Sequence, residues 1–211
     1  MELATDTAVH NAEFAKDVRA EVVELLNDVI DFLKPLLRDM ESYLKSALVN
    51  TVVHIVMPLS YGIFMDYLLG NLPACFMQLR TMTEALVKAY YADMAEAGFF
   101  ERKLELFEKF LREEKYSTSK LFKELKEASP EASRIALRIW GKCSENWVHP
   151  RGLFRRIVDT VVKHKAPPAF ALGVPMPYRE EDQKTLNELK EALADFRKLL
   201  RMIIKLAGWP M

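Results

Sequence analysis

Apolar residues recur every three or four positions over most of this 211-residue chain. That spacing places them on one face of an α-helix, whereas a half-buried strand would alternate apolar and polar residues. Only seven glycines occur, and long intervals without turn signals favour helices over many short strands. We therefore predict an all-α protein: residues 1–211 form one domain, a single helical bundle of about six to eight helices with a long N-terminal and a long C-terminal helix.

Local signals divide the chain into segments. Ser129-Pro130-Glu131 is a strong helix start, since it supplies a capping hydroxyl, a proline at the first position and an acid in the first turn. Residues 153–165 remain ambiguous between helix and strand, with helix favoured, because their apolar residues are β-branched. The other segments we predict are a helix over 7–45 kinked at Pro35, an apolar helix over 47–69 broken at Pro58, helices over 72–97 and 99–115, a short helix after Ser117, a helix from Pro130 to His149, a loop over 166–178 and a last helix over 180–206.

Composition indicates a soluble protein of a reducing compartment. Half of the residues are hydrophobic and 28% are charged, which is the balance of an ordinary globular protein. Cys75 and Cys143 lie far apart and form no CxxC pair, so we expect free thiols and a cytoplasmic location. The first residues lack the basic start and apolar stretch of a signal peptide. Scarce glutamine, at positions 78 and 183 alone, suggests a thermophile.

Residues 47–69 are long and apolar enough to cross a bilayer. They nevertheless contain polar or helix-disrupting residues that are costly in lipid, namely Asn50, His54, Pro58, Ser60 and Asp66. We expect a buried helix and no membrane association.

Basic residues cluster late in the chain. Residues 1–133 carry 15 Lys+Arg against 22 Asp+Glu, whereas residues 134–165 carry eight basic residues against two acidic ones. Such a basic island in a neutral protein is a candidate nucleic-acid-binding surface. Its candidate phosphate contacts are Arg151, Arg155, Arg156, Lys163 and Lys165.

Four carboxylates, Glu21, Glu24, Asp28 and Asp31, share one face of the first long helix. Magnesium-dependent all-α nucleotide pyrophosphohydrolases use ExxE pairs, but they bring the second pair from another helix. Here both pairs lie on one helix, and Asp93 and Glu96 are the only candidates for an opposing pair. We interpret the stripe as a solvated face and expect no metal site.

The sequence contains no other recognisable cofactor-binding or catalytic motif. His10, His54 and His164 have no partner at metal-ligand spacing, and the sequence contains no HExxH, no GxSxG and no glycine-rich phosphate loop. We therefore expect no cofactor.

Two segments hold the remaining candidate residues. Arg80 and Glu84 are four positions apart in an apolar helix, where they can form a buried ion pair or part of a site. Ser144, Asn146 and His149 cluster towards the end of a later helix, and the helix dipole there favours a protonated histidine. His149 is a candidate general acid or base, and a structural capping role is the alternative.

Together, Leu-Arg-x-x-x-Glu within residues 73–91 and Trp-x-x-x-Ser-x-x-x-Val-His-Pro within residues 139–150 resemble archaeal and bacterial HEPN-like helical proteins. The resemblance implies an all-α, often dimeric bundle from a superfamily rich in ribonucleases of toxin–antitoxin and defence systems. Active members use an arginine and a following histidine on the RNA phosphodiester at a dimer groove. His149 matches that histidine, but the arginine position holds Lys142. Lysine keeps the charge and loses the planar fork that clamps a phosphate.

Three functions remain open at this level. We favour a non-enzymatic or degenerate HEPN-like homodimer that binds RNA or a protein partner. The alternative is a metal-independent endoribonuclease, in which His149 is the acid or base, Lys142 stabilises phosphate charge, and Ser144 and Asn146 position the substrate. The magnesium-dependent pyrophosphohydrolase is a remote third.

Overall fold

The computed structural model describes residues 2–36, 39–113, 117–144, 147 and 176–209. Within those ranges all regular structure is helical, which confirms the all-α prediction. Nine helices are described there: α1 (Glu2–Phe14), α2 (Lys16–Leu36), α3 (Met40–Lys45), α4 (Ala47–Leu68), α5 (Leu72–Ala95), α6 (Phe100–Arg112), α7 (Thr118–Ala128), α8 (Pro130–Cys143) and α9 (Gln183–Leu206). The ambiguous segment 153–165 and most of the predicted loop, 166–175, lie outside the described residues.

The single helix predicted over 7–45 is wrong, because the chain breaks twice within it. The first break is a turn at Ala15, between α1 and α2. There the Tyr67 hydroxyl donates hydrogen bonds to the carbonyls of Asn11 and Ala15, at 2.9 and 3.0 Å. Both carbonyls also accept backbone N–H groups, from Ala15 and Arg19 at 3.1 Å each, so the hydroxyl adds a second kind of donor at the turn. The second break follows α2, one residue beyond Pro35, where a proline in the last turn weakens the helix.

The predicted break at Pro58 is also absent. The chain instead widens into one turn of π-helix over Val52–Val56 and then resumes as α-helix within α4. The backbone N–H of Met57 donates to the carbonyl of Val52, five residues back. In a regular α-helix the proline ring would clash with the carbonyl of His54. The wider turn accommodates the ring and keeps the helix continuous.

Helix α5 is the central helix of the bundle. It packs against α4, α6, α7, α8 and α9, and its buried positions occur on most of its circumference. Helix α9 lies across α2, α5 and α8. The buried apolar side chains of these helices form one cluster. Helix α8 begins as predicted, with Ser129 Oγ accepting a hydrogen bond from the Ala132 N–H at 3.2 Å.

The segment just before α9 is anchored to the opposite end of the chain. Asn11 is fully buried, and its amide nitrogen donates to the carbonyls of Leu68 and Met176 at 2.9 and 3.1 Å. Its amide oxygen accepts from the N–H of Tyr178 at 2.7 Å. The Tyr178 hydroxyl in turn donates to the carbonyl of Tyr67 at 2.7 Å. These bonds join α1, the end of α4 and the chain that enters α9.

We expect Asn11→Ala to lower the free energy of unfolding by at least about 2 kcal/mol, because three buried backbone groups lose their partner. The matched control is Asn27→Ala, an exposed position on α2, which we expect to change stability by less than about 0.5 kcal/mol. Urea denaturation followed by circular dichroism measures both. Equal losses for the two variants would contradict a structural role for this network.

Alkaline pH provides a second test of the same network. Burial raises the pKa of Tyr67 from 10.0 to about 12. Because the folded pKa lies above the unfolded one, this phenol contributes stability that is complete below pH 10 and is lost as pH rises through 12. We expect the free energy of unfolding to fall over that interval, and less steeply for Tyr67→Phe. Parallel curves for the two proteins would refute this contribution.

Candidate functional site

The two segments that resemble HEPN-like proteins are neighbours in the structure, because α5 packs against α8. The indole N–H of Trp140 on α8 donates to Glu84 Oε1 on α5 at 2.7 Å. Arg80 Nε donates to the same oxygen at 2.9 Å. The Arg80 guanidinium also lies over the Trp140 ring, 5.5 Å from its centroid. One carboxylate oxygen and one indole therefore fix the arginine from two sides.

Aromatic packing surrounds this group. Trp140 meets Phe122 of α7 edge to face, with centroids 6.3 Å apart at 87°. Phe76, one turn before Arg80, stacks on Trp147 at 4.4 Å and 11°. Stacked and edge-to-face pairs are both favourable arrangements of aromatic rings. The rings hold the end of α8 and Trp147 against α5.

The Arg80–Glu84 pair lies at the edge of the core, since each side chain keeps 23% of its surface exposed. Among described residues Arg80 donates only through Nε. A guanidinium carries five N–H donors, so the terminal nitrogens keep hydrogen-bonding capacity. The arrangement presents a positioned cation next to the end of α8.

Lys142 is oriented towards α9, where its Nζ lies 3.2 Å from Glu191 Oε2. Its side chain is 40% exposed and that of Glu191 is 68% exposed. An ion pair this exposed is worth little, so the ammonium can exchange its partner for another anion. Ser144 is buried, and its Oγ forms no hydrogen bond with a described residue.

Cys143 lies between these two polar residues and is buried. Burial raises the pKa of its thiol to about 12, although the positive charges of Arg80 and Lys142 act in the opposite direction. The thiol therefore stays protonated and inert at neutral pH. Both charges are therefore close enough to the thiol to influence it.

The remaining candidate residues lie outside the described part of the chain. They are Asn146 and His149 of the catalytic hypothesis and the five cations of the basic island, Arg151, Arg155, Arg156, Lys163 and Lys165. The described residues thus bring together Arg80, Glu84, Trp140 and Cys143. The sequence did not predict the bond from Trp140 to Glu84, since the two residues are 56 positions apart.

The acidic stripe of α2 forms ion pairs with α9. Arg197 contacts Glu21, Glu24 and Asp28 at 2.8, 3.1 and 2.8 Å. Asp28 is buried and also pairs with Arg201 at 2.5 Å. The interpretation of the stripe as a solvated face is therefore wrong for Glu21 and Asp28, which are largely covered by the contact between α2 and α9, whereas Glu24 keeps 53% of its side chain exposed.

These pairs also bear on the pyrophosphohydrolase alternative. Three of the four carboxylates proposed to hold magnesium are already paired with guanidinium groups of Arg197 and Arg201. Asp93, a candidate for the opposing pair, is bound to Lys103 and to the start of α4. No group of three or more His, Cys, Asp or Glu suited to a metal ion occurs among the described residues.

Helix α4 is long and apolar enough to cross a membrane, with a mean hydropathy of 1.6 over its most apolar window. Of that window, 44% is buried against the rest of the protein. Core helices of soluble proteins have the same length and composition, so this single helix is weak support for membrane association.

Comparisons with family models, with curated proteins and with solved structures found no match to this chain.

We expect Trp140→Phe to lower the free energy of unfolding by about 1–2 kcal/mol, because Glu84 loses a buried hydrogen-bond donor. Trp209→Phe is the matched control, since it makes the same change beside the same core at a residue whose indole bonds to no other described residue. Urea denaturation of both variants measures the difference. Similar losses would show that ring volume, rather than the hydrogen bond, accounts for the effect.

Proposed function

We propose that this protein is a non-enzymatic, HEPN-like helical protein that binds RNA. The RNA-binding surface would begin at Arg80 and Lys142 and continue into the basic segment 151–165. Binding would depend mainly on the phosphate backbone and therefore on ionic strength.

The observation that carries the proposal is the fixed guanidinium of Arg80. Its Nε is bonded to Glu84 at 2.9 Å, and its plane lies over Trp140. An arginine held in this way loses little side-chain freedom when it binds a ligand. Its terminal nitrogens have the geometry to donate two parallel hydrogen bonds to a phosphate.

Charge supports the same surface. The charges of Lys142 and Arg80 both act on the Cys143 thiol, and the exposed pair of Lys142 with Glu191 is weak enough to be exchanged. Segment 151–165, which follows Lys142 in the sequence, carries five basic residues and one acidic residue. Such a run of cations in the sequence fits a polyanion better than it fits an apolar partner.

Two features favour binding over cleavage. The position that holds an arginine in active HEPN-like ribonucleases holds Lys142 here, and an ammonium cannot clamp a phosphate in two places. Arg80, which is fixed beside Trp140, has its Nε bonded to Glu84. The Glu84 carboxylate partly balances the charge of Arg80. Arg80 is therefore better suited to binding a phosphate that is already charged than to stabilising negative charge that develops during a reaction.

The test is fluorescence anisotropy with a labelled single-stranded RNA at a series of salt concentrations. We expect the Arg155→Ala/Arg156→Ala variant to bind more weakly and to reduce the salt slope by about 0.7 for each lost phosphate contact. The matched control is Lys123→Ala/Lys126→Ala, which removes two exposed cations from α7. Equal slopes for the two variants, or no RNA binding by the unaltered protein at low salt, would overturn the proposal.

The endoribonuclease alternative has a separate readout in the same samples. We expect the RNA to remain intact without metal, both for the unaltered protein and for His149→Ala. If the unaltered protein cleaves the RNA and His149→Ala does not, the protein is an endoribonuclease and the non-enzymatic hypothesis is refuted.

A further inference from the structure

A cleft lined by charged and aromatic residues lies away from this surface. It has a volume of about 540 Å³ and opens where the end of α3, the start of α4, the end of α5 and the start of α6 meet. Its chemically distinctive lining residues are Lys45, Asp93, Glu96, Phe99, Arg102 and Lys103. Asp93 lies 13 positions after Arg80 on α5, so the two sites are roughly 20 Å apart along that helix. The volume is within the usual range for small-ligand sites.

The inner wall of the cleft is held by Asp93. One of its oxygens accepts from the Ala47 N–H at 2.7 Å and from Lys103 Nζ at 2.5 Å. The other accepts from Ser46 Oγ at 2.8 Å and from the Leu48 N–H at 3.0 Å. Four donors satisfy this carboxylate, so its charge contributes little repulsion to an anion in the cleft.

Lys103 supplies a cation at the same wall. Its residue surface is only 4% exposed, and its ammonium donates to Asp93 and to the carbonyl of Lys45, the latter at 2.6 Å. An ammonium has three donors, and the described bonds use two of them. The third donor of a buried lysine that lines a cleft is suited to an anion.

The rim adds three different chemical groups. Phe99 is 52% exposed and has Lys45 Nζ over its ring at 5.8 Å. Arg102 is exposed and forms no ion pair with a described carboxylate. A Cβ on Gly98 would lie 3.2 Å from both Arg102 Cδ and Glu96 Oε1. The guanidinium-bearing side chain and the carboxylate therefore flank the same point of the rim.

We infer that this cleft binds a ribonucleoside 5′-phosphate, either as a free nucleotide or as the 5′ end of an RNA. The phosphate would lie between Arg102 and Lys103, because both are cations with donors to spare. The base would stack on Phe99. The ribose hydroxyls would donate to Glu96, since an ionised carboxylate only accepts hydrogen bonds. One ligand class thus uses the aromatic ring, the cations and the carboxylate together.

The first experiment is isothermal titration calorimetry with AMP, adenosine and inorganic phosphate at low ionic strength. We expect AMP to bind more tightly than either fragment. We expect Arg102→Glu to weaken AMP by at least about tenfold, as the loss of a charged hydrogen bond implies. Lys109→Glu makes the same charge change at another exposed position of α6, and we expect AMP affinity within about twofold of the unaltered protein.

Phe99→Ala separates stacking from charge. We expect it to weaken AMP by about fivefold or more and to leave inorganic phosphate unchanged. Both substituted residues are exposed, and thermal denaturation of each variant verifies that it is folded.

A second arm distinguishes the two sources of the ligand. Fluorescence anisotropy measures the affinity of two RNAs that have the same sequence and differ only in carrying a 5′-phosphate or a 5′-hydroxyl. Binding elsewhere on the protein contributes equally to both affinities, so their difference reports on the 5′ end. Tighter binding of the phosphorylated RNA that Arg102→Glu removes would assign the cleft to RNA ends. The inference fails if AMP does not bind and the two RNAs bind alike, if inorganic phosphate binds as tightly as AMP, or if Arg102→Glu and Lys109→Glu behave alike.

Because this cleft shares no residue with the RNA surface, the two proposals can fail independently. Loss of RNA affinity in Arg155→Ala/Arg156→Ala tests the first, and AMP titration of the same variant should be unchanged.

Discussion

The burial of α5 on most of its circumference is the constraint on which the rest of the structure depends. Five helices pack against it, so a polar side chain on its buried face must find a partner inside the bundle. Arg80 and Glu84 meet Trp140 of α8, and Asp93 meets Lys103 and the start of α4. Each candidate site thus includes a place where this helix pairs a charged side chain near the surface.

The ends of the chain are held by polar bonds of a different kind. Arg197 and Arg201 of α9 pair with carboxylates of α2, and Asn11 of α1 bonds to the backbone of Met176 and Tyr178. Ion pairs at an exposed edge contribute little, but Asp28 is buried and would be costly if it lost its partners. The stripe that resembles a metal site in sequence is thus an interface between the first and last long helices.

Local sequence signals predicted the parts of this fold that depend on neighbours in the sequence. Apolar spacing identified most of the helices, and Ser129-Pro130 marked the start of α8. Distant contacts account for what the sequence did not predict. Tyr67 of α4 bonds to the turn at Ala15, the partners of Glu21 and Asp28 lie on α9, and Glu84 bonds to Trp140. The residues of the π-helical turn, Val52–Val56, contain no pattern that predicts it, and only Pro58, which follows the turn, indicates an irregularity.

The distinction between binding and cleavage at the first site depends on how its cations are held. Arg80 is fixed by a carboxylate and an indole, and this arrangement orients a guanidinium before any ligand arrives. Lys142 is exposed, and its ammonium is paired across to α9. An arginine that is oriented in advance binds a charged phosphate more tightly, because less side-chain freedom is lost on binding. Catalysis needs stabilisation that grows in the transition state, and a guanidinium whose charge is already partly balanced by a carboxylate favours the ground state instead. We therefore propose RNA binding rather than RNA cleavage for this chain.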